Sequence, residues 1–235
     1  MKIADRGPYY DKKRSFIIED NFEWYISPHR WTSITEGTST VAHVGDAVPS
    51  TVLVTTGATN NQAAAFRTTN ECFLFASDKP IFGAVSLQYA EVNTDDANLF
   101  CGFIDAADAD LLIDDGAGPK TTASGFGIYK KDGGTVWRCW SSKSTTQTDT
   151  ASTTTAGGSS YQLLEFEAQP ISSTELMCYF WVDGVQLVDT NNRPISHTVT
   201  FSSATEMHFV PCFAKAGSAN TETPEVRAAF ASQIR

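Results

Sequence analysis

Apolar and polar residues alternate with a period of two along much of the chain. The pattern is clearest in "LLEFEAQ" (163–169), "ISHTVTFS" (195–202) and "IFGAVSLQYAEV" (81–92). This period is typical of a β-strand with one buried face, and no sustained period of 3.6 residues, which would indicate helices, is found. The chain is therefore predicted to be all-β, with strands that are wet on one face.

Two Asp-Gly pairs predict β-hairpins. They are Asp132–Gly133 in "GIYKKDGGTVWRCW" and Asp183–Gly184 in "MCYFWVDGVQLVD". A tight primed turn needs positive φ, which Asp tolerates and Gly adopts without cost. The stretch "MCYFWV" (177–182) is apolar throughout, so we predict a central strand covered on both faces. The threonine-rich stretch 145–162 fits an exposed edge strand followed by a loop.

The length of 235 residues suits one large β-sandwich, and 41% hydrophobic against 19% charged residues is enough for a real core. The first stretch contains Pro8, paired tyrosines and the basic "KKR" before the first predicted strand. We therefore expect an N-terminal arm at 1–15 and a single β-sandwich domain at 16–235.

Charge and cysteine content exclude several classes of protein. The 17 Lys and Arg against 27 Asp and Glu give a net charge of -10 without a cationic cluster, which disfavours binding to nucleic acid or anionic membranes. The N-terminus has no apolar run of the signal-peptide kind, so synthesis in a cytoplasm is expected. The cysteines lack C-x-x-C spacing and are predicted to be buried free thiols.

The aspartate-rich stretch "GFIDAADADLLIDDGAGPK" (102–120) raises the question of a metal site. An EF-hand loop that began at Asp108 would place Leu112 and Ile113 where an oxygen ligand and a glycine are required. That match fails, and an irregular calcium site near Asp105 is the remaining alternative. We interpret the stretch as a surface loop with a short helical turn, whose aspartates cap turns, and we expect no metal or other cofactor.

The sequence contains only weak candidates for a catalytic site. Glu165 and Glu167 form a same-face carboxylate pair of the kind glycosidases use, but they are predicted to lie on a solvated outer face beside no aromatic residue. His197 and His208 are expected to satisfy their nitrogens on a sheet face. No nucleophile motif accompanies them, so no catalytic residue is predicted and the chain is not expected to be an enzyme.

Aromatic residues offer one candidate binding position. Trp137 and Trp140 lie three residues apart in a predicted strand and therefore point to opposite faces. One of them belongs to the core, and the other is a candidate for an exposed position. Trp140 is the candidate for stacking on a sugar ring, with core or interface packing as the alternative.

Several segments resemble the concanavalin-like jelly roll of laminin-G and legume-lectin type. They are "CYFWVDGVQLVD", "MHFVPCFAKAGSANTETPEVRAAF" and "STVLVTTGATNNQAAAF". The resemblance implies a two-sheet antiparallel β-sandwich. The E-x-D-x-x-E strand of glucanases and the calcium-binding E-x-D strand of legume lectins have no equivalent here, so neither property is carried over.

A second resemblance concerns biological role. The run "NECFLFASDKPIFGAVSLQYAEVNTDDANLFCGFIDA", with "DLLIDDGAGP" and "YKKDGGTVWRC", is similar to proteins encoded among the head genes of tailed phages. Together the resemblances cover most of the chain from about Phe16 onward. They imply a virion protein that decorates the outer capsid surface by contacts with the major capsid protein, as a trimer or dimer.

The capsid-decoration hypothesis predicts aromatic residues that become buried on the shell or against a sister subunit. The candidates are Tyr9, Tyr10, Phe22, Trp24 and Trp31. The alternative function is a glycan-binding, lectin-like module of the same fold without catalytic activity, with Trp140 as its stacking residue.

Overall fold

A computed structural model describes residues 15–23, 29–45, 50–90 and 96–234, and most of them lie in β-strands. Tyr9, Tyr10 and Trp24 lie outside these ranges, while Ser15, predicted to end the arm, begins the first strand. The strands are β1 (Ser15–Asp20), β2 (Trp31–Thr35), β3 (Thr40–Val44), β4 (Thr51–Thr55), β5 (Ala63–Thr68), β6 (Phe73–Phe75), β7 (Ile81–Tyr89), β8 (Ala97–Ile104), β9 (Leu112–Ile113), β10 (Gly118–Pro119), β11 (Gly125–Lys130), β12 (Val136–Lys143), β13 (Thr146–Thr155), β14 (Gly158–Ser172), β15 (Glu175–Val182), β16 (Val185–Gln186), β17 (Ser196–Thr200), β18 (Thr205–Ala216) and β19 (Glu225–Ile234).

Two antiparallel sheets form a β-sandwich, as predicted. Within the described ranges, sheet I has the order β16-β15-β14-β7-β19-β4-β3, with β1 also paired to β19 and β17 to β15. Sheet II has the order β13-β12-β11-β8-β18-β5-β2, with β6 paired to β18. The small β9–β10 pair lies apart from both sheets. Neighbours in each sheet are mostly distant in sequence, which is typical of a jelly roll.

The inner faces of both sheets meet in an aromatic core. Phe103 of β8 stacks on Phe126 of β11 at 5.3 Å between ring centroids, and it contacts Phe209 of β18 at 5.1 Å. From sheet I, Phe166 of β14 meets the Phe103 ring edge-on at 5.7 Å. Such contacts join the sheets, because each buried ring removes a large apolar area from water.

One end of the core is closed by a local turn. Phe22 has a positive φ of 57°, and its N–H donates to Asp20 Oδ1 at 2.8 Å. The same carboxylate accepts from Trp31 Nε1 at 2.8 Å. Phe22 and Trp31 are both fully buried and pack against Phe66. A single aspartate therefore fixes both aromatic side chains inside the sandwich.

The segment 105–124, called the cover segment below, lies over the outer face of sheet II. Its apolar residues Ala107, Leu111, Leu112 and Ala123 are buried in one cluster with sheet residues. The sheet residues of this cluster are Ala63, Ala65, Phe100, Ile104, Tyr129, Trp140, Val210 and Phe213. The centre of sheet II is therefore buried on both faces, contrary to the prediction that strands are wet on one face.

The two Asp-Gly hairpins differ. Asp183 and Gly184 have φ of 53° and 78° between the paired residues Val182 and Val185, which confirms the predicted tight turn. At the other hairpin only Gly133 has a positive φ, and residues 131–135 form a longer loop. There the backbone N–H of Asp132 donates to Asn98 Oδ1 at 2.8 Å, which holds Asp132 outside the primed-turn conformation.

The prediction that 177–182 is covered on both faces is wrong. Strand β15 alternates strictly between buried and partly exposed residues. Leu176, Cys178, Phe180 and Val182 face the core, while Met177, Tyr179 and Trp181 face outward. The strand lies next to the short marginal strands β16 and β17, where no further layer of the described chain covers its outer face.

The cysteines are free thiols, as predicted. Cys101, Cys139, Cys178 and Cys212 are buried, and burial raises the pKa of each thiol, whereas Cys72 is partly exposed. A protonated, inaccessible thiol is unreactive. Among the described residues, no helix is long and apolar enough to cross a membrane.

Candidate functional site

Four aspartates of the cover segment accept hydrogen bonds from donors of the protein itself. Within the described residues, no group of three or more His, Cys, Asp or Glu side chains is arranged to hold a metal ion. The contacts are Asp105 Oδ1 to Ser124 N at 2.8 Å, Asp108 Oδ1 to Asp110 N at 3.0 Å, Asp114 Oδ1 to Lys215 Nζ at 2.5 Å, and Asp115 Oδ1 to Asn61 Nδ2 at 3.2 Å.

The local conformation of this segment differs from the predicted helical turn. A turn closed by Leu111 N to Asp108 O at 3.2 Å precedes β9, and a short 3-10 helix follows at Asp114–Gly116. The buried Lys215 side chain holds the segment against sheet II, because its ammonium donates to Leu112 O at 3.0 Å as well as to the Asp114 carboxylate. The predicted capping of a turn by an aspartate is confirmed at Asp108, whose Oδ1 accepts from Asp110 N, while the apolar residues of the stretch also pack against sheet II.

Trp140 does not form an exposed platform. It faces outward from sheet II and Trp137 faces the core, so the predicted opposite orientation is confirmed. Both side chains are nevertheless 0% exposed, because the cover segment closes the face where Trp140 lies. Within the described chain its Nε1 has no hydrogen-bond partner. A sugar ring has no access to Trp140 in this structure.

The structure also corrects two of the predicted partner-interface residues. Phe22 and Trp31 are both 0% exposed inside the core of the monomer, so neither side chain is available to a capsid shell or a sister subunit. Their apolar character serves the fold itself. Tyr9, Tyr10 and Trp24 lie outside the described residues and stay predictions.

The predicted role of the histidines is confirmed. His197 Nδ1 hydrogen-bonds to Ser141 Oγ at 3.1 Å and Nε2 to Thr150 Oγ1 at 3.0 Å. Burial lowers the pKa of His197 to about 4, so the ring is neutral at pH 7. His208 Nδ1 lies 2.9 Å from Thr68 O, and burial, followed by the nearby Arg67, lowers its pKa as well.

An aromatic pair that was not predicted from the sequence lies on the outer face of sheet I. Tyr179 and Trp181 follow each other at alternate positions of β15, so both point away from the core. Their ring centroids are 5.9 Å apart and their planes are tilted by 34°. Both rings are partly exposed. Adjacent rings at a small tilt give a nearly continuous apolar surface along the strand.

The carboxylate pair lies directly beside these rings. Glu165 is opposite Trp181 and Glu167 is opposite Tyr179 in the β14–β15 ladder. Residues that are directly opposite in an antiparallel ladder point to the same face. The prediction that the two glutamates have no aromatic neighbour is therefore wrong. Glu165 is only 3% exposed, whereas Glu167 is partly exposed, so the expected solvated face is also wrong at Glu165.

Apolar residues continue the face on the other side of the glutamates. In the β14–β7 ladder Glu165 is opposite Ala84 and Glu167 is opposite Phe82, and Ala84 is opposite Phe230 in the next ladder. Phe82, Ala84 and Phe230 form one cluster on this outer face. Glu165 and Glu167 therefore lie between the Tyr179–Trp181 pair of β15 and the apolar cluster of β7 and β19. We call this whole surface the aromatic strip.

The chemistry of the aromatic strip suits a ligand with both apolar and hydroxyl surfaces. The ring faces of Tyr179 and Trp181 provide area for C–H groups, and the Glu167 carboxylate is a hydrogen-bond acceptor for hydroxyls. The partly exposed Gln169 amide, opposite Met177, adds both donors and an acceptor. Sugars combine these two kinds of surface.

The fold is that of concanavalin-like lectins and glucanases. The chain is similar to the Emp47p carbohydrate recognition domain (TM-score 0.59, 11% identity, 96% of this chain and 98% of that chain). It is also similar to endo-1,3-beta-glucanase from Streptomyces sioyaensis (TM-score 0.56, 14% identity, 94% and 97%) and to a legume lectin-like domain from Entamoeba histolytica (TM-score 0.51, 10% identity, 86% and 89%). No protein-family model and no curated protein matches the chain.

Proposed function

We propose that the protein is a glycan-binding, lectin-like module without catalytic activity, and that Tyr179 and Trp181 are its stacking residues. The observation that carries the proposal is the pair of partly exposed rings 5.9 Å apart on the outer face of β15. The polar side chains of β14 beside them supply hydrogen-bonding groups for sugar hydroxyls. The lectin-like fold of the whole chain supports the same function class.

The shape of the strip favours an extended glycan over a single sugar. Two rings in line along one strand offer consecutive stacking positions, and Met177 extends the outward row by a further position. The absence of the E-x-D-x-x-E motif from the sequence supports binding without hydrolysis. We therefore propose an oligosaccharide, bound along its length, as the ligand class.

The proposal predicts that Trp181→Ala and Tyr179→Ala each weaken glycan binding at least tenfold. A tenfold loss corresponds to about 1.4 kcal/mol, within the range expected for one stacked ring. We would screen the full chain on a glycan array, with and without calcium, and measure affinities for the best soluble oligosaccharide by isothermal titration calorimetry.

The matched control is Val185→Ala, because Val185 is 70% exposed on the same hairpin and does not belong to the strip. Circular dichroism of each variant checks the fold. Binding that persists in the double variant of Tyr179 and Trp181, or an array without any bound glycan, would refute the proposal. Release of shorter sugars during incubation would refute its non-catalytic part.

Capsid decoration through protein–protein contacts is the second proposal, and it would use the apolar side of the outer face of sheet I. Beside Phe230 the outer face of sheet I has a depression of about 200 Å³, whose lining includes Glu19, Ala84 and Leu163. A depression with an apolar floor and a charged rim suits a protein partner such as a major capsid protein or a second copy of the chain. Quantitative proteomics of purified particles would test it: a fixed ratio to the shell protein supports decoration, and absence from particles refutes it.

A further inference from the structure

A cleft lined by hydroxyl residues lies at the lateral edge of the sandwich, next to the Met177 end of the aromatic strip. It has a volume of about 130 Å³ and runs between the β12–β13 hairpin of sheet II and strand β17 of sheet I. Its lining consists of Ser141, Lys143, Thr146, Thr148, Thr198, Val199 and Thr200. Among these residues the charged one is Lys143, and none carries a carboxylate.

The ladder places four polar side chains on one face of the hairpin. Ser141 is opposite Thr148 and Lys143 is opposite Thr146, and directly opposite residues share a face. A tight turn, in which Ser144 has a positive φ of 56°, joins the strands just beyond Lys143. The ammonium and three hydroxyl groups are thus held by a short, rigid hairpin.

The Lys143 ammonium is held in place by one hydrogen bond, so it has N–H donors left for a ligand. Within the described chain its Nζ donates to Thr205 Oγ1 alone and lies 5.8 Å from the centre of the Phe201 ring. An ammonium group has three N–H donors, so two stay available to a ligand. Burial lowers the pKa of Lys143, while Asp105 acts in the opposite direction and favours the charged form.

The floor of the cleft adds a further hydroxyl group, that of Ser141. Ser141 is buried, and its hydroxyl hydrogen-bonds to the neutral His197 ring at 3.1 Å. When Nδ1 of His197 carries the proton, Ser141 Oγ accepts it and its own O–H is free to donate into the cleft. Opposite the hairpin, Val199 is 5% exposed and forms an apolar wall.

We propose that this cleft is a binding site for a small oxyanion, either free or as the acidic group of a sugar. An ammonium together with several hydroxyl donors matches the charge and the acceptors of a sulfate or carboxylate group. A cationic, carboxylate-free lining is distinctive in a chain of net charge -10. Of the nearby carboxylates, Asp149 pairs with Arg138 at 2.7 Å, whereas Asp105 accepts from Ser124 N and acts electrostatically on Lys143.

The test is a titration of the ¹⁵N-labelled full chain with sodium sulfate at constant ionic strength, with sodium chloride as the replaced salt. We expect saturable amide shifts confined to 141–148 and 198–200, and at least a tenfold weaker affinity in Lys143→Met. The control is Lys79→Met, because Lys79 pairs with the exposed Asp78 at 3.5 Å, outside the cleft, and should leave the affinity unchanged.

A second variant protects the test against misfolding. Thr148→Val keeps the shape and charge of the cleft but removes one hydroxyl, and should weaken sulfate binding severalfold in a folded chain. Parallel titrations with glucuronate and glucose distinguish the two sources of the ligand, since an acidic-sugar site binds glucuronate more tightly than sulfate at the same amides. Linear, non-saturating shifts, or equal affinities in wild type and Lys143→Met, would overturn the proposal.

The cleft is separate from the Tyr179–Trp181 ring pair of the proposed glycan platform. Its lining contains no aromatic stacking residue, and it meets the strip only where Thr198 Oγ1 donates to Met177 Sδ at 3.6 Å. Loss of glycan binding in Trp181→Ala with normal sulfate binding would support two separate sites.

Discussion

Trp31→Ala is expected to lower the free energy of unfolding by about 3 to 5 kcal/mol. The Trp31 side chain is fully buried, packs edge-on against Phe66 at 5.4 Å, and donates its indole N–H to Asp20. Its truncation removes a large apolar area and leaves a cavity among aromatic rings that cannot collapse easily. The buried Asp20 carboxylate also loses the hydrogen bond that the Trp31 indole N–H donates to it.

Urea unfolding, followed by circular dichroism, measures this effect. Val185→Ala is the control, because Val185 is 70% exposed and its truncation should change stability by less than about 0.5 kcal/mol. The comparison also tests the interface prediction. A Trp31→Ala chain with unchanged stability but altered self-association would restore Trp31 as a partner-contact residue.

The sequence was sufficient for the fold class, because alternation is a local signal. Strand β17 has the predicted pattern, with His197 and Val199 buried and Thr198 exposed. The Asp183–Gly184 turn was also predictable, since both residues adopt the positive φ that a two-residue hairpin requires. Asp132–Gly133 has the same dipeptide, but Asn98, 34 residues earlier, binds the Asp132 amide and selects another loop.

The position of Trp140 was not predictable from its own strand. Whether an outward residue of sheet II meets water depends on the cover segment, in which aspartates alternate with small and apolar residues. The aspartates drew attention as possible metal ligands, whereas Leu111 and Leu112 determine the packing. The apolar side of this segment packs on sheet II and its acidic side faces solvent, so it forms a surface layer over the sheet.

The aromatic strip was missed for a related reason. An apolar run such as 177–182 fits either a fully covered strand or a one-sided strand with outward aromatic residues. The choice depends on the neighbours of β15, which are the marginal strands β16 and β17, and on the register that places Glu165 opposite Trp181. The polar groups that Tyr179 and Trp181 carry, unlike the intervening Phe180, are the signal that could have indicated an outward face.

Acidification from pH 7 to pH 4 is expected to destabilise the fold through His197. In the unfolded chain a histidine has a pKa of about 6.5, whereas burial lowers the pKa of His197 in the fold to about 4, with Asp149 opposing the shift. Between these values the unfolded chain binds more protons than the folded chain, so stability falls as pH falls. Above about pH 6.5 the contribution is complete, and below about pH 4 no further change arises from this residue.

The size of the effect is roughly 3 kcal/mol, since each pKa unit corresponds to about 1.4 kcal/mol. Protonation also leaves both ring nitrogens as donors toward Ser141 and Thr150, whose hydroxyl groups can accept in place of donating. The cost therefore arises from burying the charge rather than from breaking these bonds.

Urea unfolding at several pH values, for wild type and His197→Asn, isolates this contribution. His208 shifts in the same direction, because burial and Arg67 lower its pKa too, so the wild-type curve alone combines both residues. The difference in unfolding free energy between wild type and His197→Asn cancels the contribution of His208. A His208→Asn chain should keep the pH dependence of stability that His197 contributes. Parallel stability curves for wild type and His197→Asn between pH 7 and pH 4 would show that the fold does not lower the pKa of His197, and would contradict this prediction.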